Sequence, residues 1–403
     1  MDWTPVDAAL AHLENSLSAV TGTERLPLSQ CDGRFLAEGT TAVRPNPPAA
    51  NSAVDGYGFA HAALPATDGA VILPLHAGRA AAGAASAGAV PAGEALRILT
   101  GAALPVGVDT VVLDEDVTVE AARVAFRLPV KAGANTRRAG EDVEAGAQVL
   151  PAGHRLRPQD LALLAATGVY EPAVRTPLRV GVLSTGDEIR PAKGALEPGE
   201  IADANRPMLL ALLARWGYEA VDCGHVPDRR EALRARFDAA AGRVDVLLTS
   251  GGASGGDEDH VSALLKETGS MAIWRVAVKP GRPLALGLWR GRPVFGLPGN
   301  PVAAFVCTLI FAEPALRVLA GGAWRPPRPM TVPAVFSKVK RPGRREYLRA
   351  RLSADGAEVF RSEGSGRISG LSWSDGLVEL PDGPATIEPG TPVSYYPYSL
   401  FGQ

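Results

Sequence analysis

The sequence predicts a multidomain α+β protein whose central part is a doubly wound α/β domain. Strand-like and helix-like runs alternate between residues 177 and 322, which is typical of a parallel sheet covered by helices. Short β-like runs separated by Gly and Pro occupy 60–130 and 330–403, which is typical of small β domains. The length of 403 residues suits about two to four domains.

These patterns divide the chain into four predicted units. Helical periodicity occurs near both ends of the first β-rich region, so that region is predicted to be an insertion. The units are a discontinuous linking domain of 1–50 plus 143–176, an inserted β-rich domain of 51–142, the α/β domain of 177–322 and a C-terminal all-β domain of 323–403.

The composition favours a chain that folds without disulfides or a structural metal. Hydrophobic residues make up 46% of it, and Cys31, Cys223 and Cys307 are far apart with no CxxC pair. We therefore expect reduced thiols and a cytoplasmic location. A formal net charge of −2 gives no general attraction to nucleic acid or anionic membranes. The sequence has no signal-like start and no uninterrupted apolar run of eighteen residues, so we expect no membrane-spanning helix.

The first unit opens with a predicted amphipathic helix over 4–20, with Thr4 as N-cap and Pro5 at its first position. The Pro-rich stretch 44–48 predicts an extended connector that leads into a tight turn holding Asp55. The carboxylate of this aspartate either has a functional role or only caps its own turn. Both interpretations stay open at this point.

The inserted domain places polar groups after its predicted strands. Thr100 follows one strand, and the acidic run 114–116 ends another as either ligands or a solvated strand end. The segment 135–142 combines two arginines with two acids, the last of which is Asp142. Arginine pairs suit phosphate or carboxylate, but an inter-domain salt-bridge cluster has the same composition. A helix over 158–168 is predicted to follow.

The α/β region carries the most informative loop. A buried strand over 244–248 leads into the stretch 249–256, whose four glycines allow a backbone that β-carbons would block. Such a turn can direct several N–H groups at a phosphate. The acids 257–259 follow at once and provide the oxygen ligands that Mg²⁺ prefers.

Three other loops share this character. The strand 179–183 ends in the loop 184–188, the turn 279–283 lies between two strands, and the strand 294–297 precedes the loop 298–301. Asn300 is predicted to cap the helix 302–311, and Asn205 to cap the helix 207–216. In a doubly wound sheet, loops after successive strands meet at the carboxyl end, where ligands bind. We therefore predict that the four loops converge.

The last part of the chain begins with a Gly- and Pro-rich linker over 321–329. Short β runs after 330 predict a small all-β domain. A solvated surface is predicted for the arginines that lie near Glu346. They are Arg341, Arg344, Arg345 and Arg349.

Eight segments in this order resemble the molybdopterin molybdenumtransferase family, the MoeA-type enzymes related to the C-terminal domain of gephyrin. They span roughly positions 5 to 320 and are NSAVDGYGF, ILTGAALPVGVDTVVLDED, NTRRAGEDV, VGVLSTGDEI, GEIADANRPML, LLTSGGASGGDEDH, RVAVKPGRP and VFGLPGNPVAAF. The resemblance implies that the central domain is molybdopterin-binding-like and that the linking domain serves dimerisation.

The resemblance also implies an activity and partners. Such an enzyme binds adenylylated molybdopterin, releases AMP with the help of Mg²⁺ and inserts molybdate to give the molybdenum cofactor. It acts as a homodimer, with each site formed between two subunits, and the molybdopterin adenylyltransferase and recipient molybdoenzymes are further partners. A non-catalytic molybdopterin-binding scaffold and a pyrophosphatase acting on another adenylylated compound remain alternatives.

Residue roles follow from the matching motifs. The catalytic group would be Asp55, Thr100, Asp142, Glu188 and Asp259, of which the first three would come from the partner side. The pterin phosphate would be held by the loops 184–188, 249–252 and 298–301, that is by Ser184, Thr185, Gly186, Asp187, Ser250, Gly251, Gly252, Pro298, Gly299 and Asn300. Lys279 and Arg282 would receive molybdate, and Asp257 and Asp259 would bind Mg²⁺.

Some positions depart from the family pattern. Ala303 replaces a common serine, and Arg282 replaces a common lysine, which keeps the charge but changes the donor geometry. In the last domain, residues 365–369 match loosely, whereas Trp373 and Asp375 do not match.

Overall fold

The computed structural model describes residues 3–66, 68–84, 88–192, 194–251, 260–267, 272–281, 284–362, 364 and 366–402. Up to residue 127, the chain forms one helix followed by short strands. These are α1 (Val6–Ser16), β1 (Thr23–Arg25), β2 (Thr40–Thr41), β3 (Asn51–Ser52), β4 (Gly56–Phe59), β5 (Ala70–Ala80), β6 (Ala95–Ile98), β7 (Thr110–Leu113), β8 (Thr118–Glu120) and β9 (Arg123–Arg127). Strands β4 to β9 form a sheet in the order β7-β4-β6-β5-β9-β8, in which only the β5–β6 pair is parallel.

The chain then returns to its first segment. The returning elements are β10 (Thr136–Arg137), β11 (Gln148–Leu150), α2 (Pro158–Ala166) and β12 (Ala173–Arg175). Strand β10 pairs antiparallel with β3, β11 with β2, and β12 with β1. A small apolar cluster that includes Leu36, Leu156 and Leu164 closes the space between the two segments. Stretches far apart in sequence, such as those of Thr23 and Arg175, therefore pair with each other.

The α/β region contains alternating strands and helices. They are β13 (Arg179–Thr185), β14 (Ile189–Arg190), β15 (Ile201–Ala202), α3 (Asn205–Arg215), β16 (Glu219–Val226), α4 (Arg230–Ala241), β17 (Val246–Ser250), α5 (His260–Glu267), β18 (Ala272–Trp274), β19 (Val278–Lys279), β20 (Leu284–Trp289) and β21 (Arg292–Leu297). The sheet order is β16-β13-β17-β21-β20-β18. The first four strands are parallel, and β20 and β18 extend the edge in antiparallel fashion.

A long buried helix packs beneath this sheet. It comprises α6 (Pro301–Cys307), a π-helical turn (Thr308–Ala312) and α7 (Glu313–Leu319). By length and composition alone, Pro301–Leu319 could cross a membrane, a candidate that the sequence analysis missed. Inside the protein, 83% of its most apolar window is buried, so the segment packs as a core helix does.

The C-terminal region forms most of a third six-stranded sheet. Its elements are β22 (Met330–Pro333), β23 (Lys338–Lys340), β24 (Arg345–Ser353), β25 (Gly356–Val359), α8 (Ser369–Trp373), β26 (Gly376–Leu380), β27 (Ala385–Ile387) and β28 (Pro392–Pro397). The order is β19-β24-β26-β28-β22, with β25 paired to β24. Strand β19 belongs to the α/β region by sequence, and Val278 and Lys279 pair in parallel with Arg345 and Glu346. The loop that carries Lys279 is thus anchored in the neighbouring sheet.

Several element boundaries differ from the predicted ones. Helix α1 is shorter than 4–20, and Pro5 rather than Thr4 is its N-cap. Strand β17 begins two residues later than predicted. Asp245, just before it, binds Arg179, whose guanidinium donates to both carboxylate oxygens at 2.8 and 3.1 Å. The strand predicted before Lys279 is split into β18 and β19.

Candidate active site

Three loops of the α/β region line one cleft with a volume of about 640 Å³. Strands β13, β17 and β21 run in parallel, with Ser184 paired to Ser250 and Ser250 to Leu297, so all three end at the same level. The loops that follow these strands therefore open onto a common edge. The cleft is lined from 184–188, 250–251 and 298–301, with Glu188 among the lining residues.

Glycines allow these loops to approach each other closely. Gly251 has φ +98°, and a Cβ there would lie 2.7 Å from the backbone oxygen of Thr185. Gly186 has φ +141°, and a Cβ there would lie 2.6 Å from Oε2 of Glu188. Both positions therefore favour glycine for backbone conformation, and Gly251 also requires it for space because the close atom there belongs to the backbone.

The start of the long helix faces the same cleft. The Asn300 Oδ1 accepts hydrogen bonds from the N–H of Val302 at 3.0 Å and of Ala303 at 3.3 Å. Pro301 occupies the first helical position, so the predicted cap and helix start are confirmed. Pro298, Gly299, Asn300 and Pro301 together form one wall of the cleft.

Buried polar atoms at the cleft lack partners within the described part of the chain. They are Ser184 Oγ, Thr185 Oγ1 and Asn205 Oδ1. Leaving a buried donor or acceptor unpaired costs about 1–3 kcal/mol. A ligand with phosphate oxygens and ring N–H groups would supply the missing partners, so this donor and acceptor set fits a polar ligand.

Asn205 has a role that the sequence analysis missed. It was predicted to cap a helix, but α3 already begins at Asn205, and Asp203 accepts the N–H of Arg206 at 3.1 Å instead. The Asn205 Nδ2 donates to Ser250 Oγ at 2.6 Å and to the Gly299 backbone oxygen at 2.7 Å. A carbonyl oxygen can only accept, which fixes the amide orientation. Asn205, 6% exposed, therefore ties two cleft loops together.

An acidic group forms another side of the cleft. The Asp228 N–H donates to Asp187 Oδ1 at 3.1 Å, and both Asp228 and Glu188 line the cleft. Burial raises the pKa of Asp228, and the negative charges of Asp187 and Glu188 raise it further. The sequence analysis missed Asp228, although it follows a strand of the same parallel sheet. These carboxylates therefore give this side of the cleft a negative potential.

Several predicted site residues lie outside the described residues. They are Gly252, Asp257, Asp259 and Arg282. Within the described ranges, no cluster of three or more His, Cys, Asp or Glu side chains has the arrangement of a metal site. The placement of the predicted metal ligands therefore stays a prediction.

The fourth loop lines a second cavity of about 200 Å³ beside the cleft. Its lining includes Lys279, Lys338, Arg349 and Arg361. The Lys279 Nζ lies 3.4 Å from Glu346 Oε1, and the Lys338 Nζ lies 3.2 Å from Glu346 Oε2. Four cationic side chains thus line this cavity among the described residues, which suits a small anion.

Helix α6 separates the cleft from the second cavity. Pro301 lines the cleft and Val302 lines the cavity. A Cβ on Gly281 would lie 3.1 Å from Cys307 Sγ and 3.6 Å from the Ala303 Cβ. The methyl group of Ala303 therefore lies where a side chain added at residue 281 would meet it.

The predicted solvated surface is wrong for Arg345 and Arg349. Arg345 donates to Asp7 at 2.7 and 2.8 Å and to Asp382 at 2.9 Å, which joins α1 to the C-terminal domain. Arg349 is 5% exposed and lies over the ring of Phe360. Sequence patterns could not reveal this, because the partners come from other chain segments.

Arg349 holds the described residues of the segment 362–367 in place. Its guanidinium donates to the backbone oxygens of Ser362 at 2.6 Å and Gly364 at 3.2 Å, and to that of Arg367. Ser362 lines the second cavity and Gly366 lines the cleft. This segment therefore forms a shared wall of both.

Of the three residues predicted to act from the partner side, Asp55 and Thr100 contact each other and Asp142 has a different partner. The Asp55 Oδ1 accepts from the Thr100 N–H at 2.7 Å and from its hydroxyl at 2.8 Å, and these bonds lower the pKa of Asp55. The Asp142 Oδ2 accepts from Asn46 Nδ2 at 2.9 Å. All three side chains are on the surface or close to it, and none of them lines the cleft of its own chain.

Comparison with known proteins gives matches along the whole chain. The family described as the MoeA N-terminal region (domain I and II) matches residues 4–168, the probable molybdopterin binding domain matches 181–318, and the MoeA C-terminal region (domain IV) matches 331–398.

Two relatives and one solved structure extend this comparison. The chain is 34% identical over 402 residues to the molybdopterin molybdenumtransferase of Haemophilus influenzae, covering 98% of each chain. It is 35% identical over 381 residues to that of Synechococcus elongatus, covering 92% of this chain and 93% of the relative. The crystal structure of the molybdopterin biosynthesis MoeA protein from Pyrococcus horikoshii OT3 superposes with a TM-score of 0.85 at 27% identity, covering 98% of this chain and 100% of the other.

Proposed function

The chain belongs to the molybdopterin molybdenumtransferase family, whose members are transferases of molybdenum cofactor biosynthesis, and we propose from this premise how its two cavities divide the reaction. The 640 Å³ cleft binds adenylylated molybdopterin, and the cationic cavity beside it binds molybdate. One observation carries this proposal. A cleft with unpaired buried polar atoms shares helix α6 and the segment 362–367 with a cavity rich in cations.

The chain's own groups position the substrate. Ser184 and Thr185 donate hydroxyl hydrogens to phosphate oxygens, and the glycine turn at Gly251 lets the phosphate approach the backbone. Asn205 accepts a ring N–H of the pterin through its unpaired Oδ1. These contacts fix the pyrophosphate at the carboxyl ends of the strands.

Acidic groups on the other side of the cleft would hold Mg²⁺. Glu188 and Asp228, with Asp257 and Asp259 from the adjoining loop, are the residues proposed for this role. When bound, Mg²⁺ supplies charge neutralisation between the two phosphates as AMP leaves. Lys279, in the adjacent cavity, holds the molybdate anion close to the cleft.

Release of AMP tests the enzymatic proposal. Purified protein mixed with adenylylated molybdopterin, molybdate and Mg²⁺ should release AMP and form molybdenum cofactor in equal amounts, and EDTA should abolish both. AMP release without cofactor would indicate the pyrophosphatase alternative. Substrate binding without AMP release would indicate the scaffold alternative.

The separate placement of Asp55, Thr100 and Asp142 supports a site shared between two subunits. Because these side chains do not line the cleft of their own chain, we propose that a homodimer brings them to the partner's cleft. The three buried free cysteines support the proposed cytoplasmic location, where thiols stay reduced.

Complementation between variants tests the shared site. Asp55→Asn and Lys279→Ala homodimers should each lose activity, whereas co-expression of the two chains should recover about a quarter of the wild-type rate, since half of the dimers then have one intact site. Asp109→Asn serves as the control for Asp55→Asn and should keep activity. No recovery in the mixed dimers would place Asp55 and Lys279 in the same subunit's site.

A further inference from the structure

A groove runs on both sides of Trp324, and none of the residues that line it also lines the cleft or the second cavity. One half, of about 540 Å³, is lined by Glu313, Arg317, Arg325 and Arg328 together with two prolines and Leu400. The other half, of about 630 Å³, lies between residues 151–158 and the C-terminal turn. Arg317, Trp324, Arg325 and Leu400 line both halves, so the two cavities are continuous.

The groove concentrates positive charge in a chain whose formal net charge is −2. Its lining includes Arg155, Arg317, Arg325 and Arg328. None of these four guanidinium groups has a carboxylate oxygen within 4.0 Å among the residues that the structure describes. By contrast, Arg157 is paired with Asp160 at 2.9 Å. The lining also contains the carboxyl groups of Glu313 and Asp32, but neither forms an ion pair with these four arginines among the described residues, so positive charge is in excess.

The arginines at its base are held in place yet keep free donors. The Arg317 Nε donates to the Ala323 backbone oxygen at 3.1 Å, and the guanidinium lies over the Phe35 ring at 5.2 Å. Arg155 donates to the backbone oxygens of Gly33 and Trp216 at 3.1 and 2.8 Å. These bonds fix both side chains and leave N–H groups of each available for a ligand.

Electrostatics point in the same direction. Burial lowers the pKa of Arg317, and the nearby charges of Arg325 and Arg155 lower it further. The carboxyl group on this side, Glu313, is itself buried, and burial raises its pKa to about 7. Glu313 thus compensates the arginines only in part at neutral pH.

We propose that this groove binds the phosphate group of a small phosphate ester. Guanidinium groups match the geometry of phosphate oxygens, and several of them around one cavity favour a dianion over a monoanion. Trp324 lines both halves of the groove together with the arginines, and an indole suits a ligand that carries a planar ring. Volumes in this range accommodate a nucleotide-sized molecule.

Fluorescence of the full-length protein tests this site. Inorganic phosphate, AMP and molybdate are titrated separately, with Trp324 as the reporter and Trp324→Phe as its blank. AMP and phosphate should change the Trp324 signal, with AMP binding more tightly, whereas a response to molybdate alone would overturn the phosphate-ester assignment.

Variants locate the binding and separate it from the catalytic reaction. Arg325→Ala/Arg328→Ala should weaken AMP binding at least about tenfold, while Lys279→Ala, in the cationic cavity, should leave it unchanged. The matched control is Arg123→Ala/Arg127→Ala, which removes two exposed charges from strand β9. Equal weakening in the control, or no AMP response in the wild-type assembly, would overturn the proposal. Because no turnover is measured, failure here leaves the proposed transferase reaction untouched.

Discussion

Replacement of Asn205 by alanine is expected to lower kcat/KM by roughly 10- to 100-fold. The amide joins Ser250 to Gly299 across the cleft, with bonds of 2.6 and 2.7 Å. Its loss leaves the Gly299 oxygen without this donor and removes an acceptor from the cleft. Both KM and kcat should change, because the tie positions two substrate loops. Steady-state AMP release checks the effect.

Asn15→Ala is the control for this prediction. Asn15 is exposed, and its amide donates to the Ala11 backbone oxygen within α1 at 2.8 Å. Its removal should leave kcat/KM within about twofold of wild type. The proposed role of Asn205 is contradicted if Asn205→Ala keeps full kcat/KM at an unchanged melting temperature. A variant that only unfolds earlier, with normal kinetics at low temperature, would mean a structural role.

Replacement of Glu313 by glutamine is expected to stabilise the protein at alkaline pH. Burial raises the pKa of Glu313 to about 7, against the opposing effects of Arg317 and Arg155. Its carboxyl therefore ionises at a lower pH in the unfolded chain than in the folded protein. The free energy of unfolding falls as pH rises from the unfolded pKa of 4.5 to the folded pKa of about 7. Above about pH 7 this cost is complete and amounts to up to about 3 kcal/mol.

Urea unfolding at two pH values checks this expectation. At pH 8, Glu313→Gln should raise the free energy of unfolding by up to about 3 kcal/mol, and at pH 5 by no more than about 1 kcal/mol. Tyr218, also buried, faces the same carboxyl and stays neutral over this range, because burial raises its pKa well above the usual value. The exposed Glu120→Gln serves as the control and should show no such pH dependence. A gain that is equal at both pH values would contradict the proposed ionisation.

Much of the cleft was predictable from the sequence, because its loops follow a regular rule. Parallel strands that end in Thr185, Ser250 and Leu297 must present their loops at one edge, and glycines at 186 and 251 mark where the loops come close. Asn300 followed by Pro301 carries a local signal for a helix start, and the structure confirms it. These features depend on short-range chemistry or on the sheet's direction.

Other features depend on partners that lie far apart in sequence. Asn205 has the sequence signature of a cap, and only the packed loops show that its amide binds Ser250 and Gly299. Arg345 reaches Asp7, 338 positions away, so no local pattern distinguishes it from a solvated arginine. Asp228 acquires its importance from the acids of another loop. Long-range contacts of this kind are set by the tertiary structure.

Strand β19 has a mechanical consequence for the reaction. Since Lys279 pairs with Glu346 in the C-terminal sheet, a tilt of that sheet would move the lysine while the loops that line the cleft stay with the parallel strands. Rotation of the C-terminal domain would then change the distance between molybdate at Lys279 and molybdopterin in the cleft, if both bind as proposed. A chain shortened after Gly322 would lack the strand that pairs with Lys279. Truncation should therefore weaken binding of the proposed oxyanion more than binding of the proposed nucleotide.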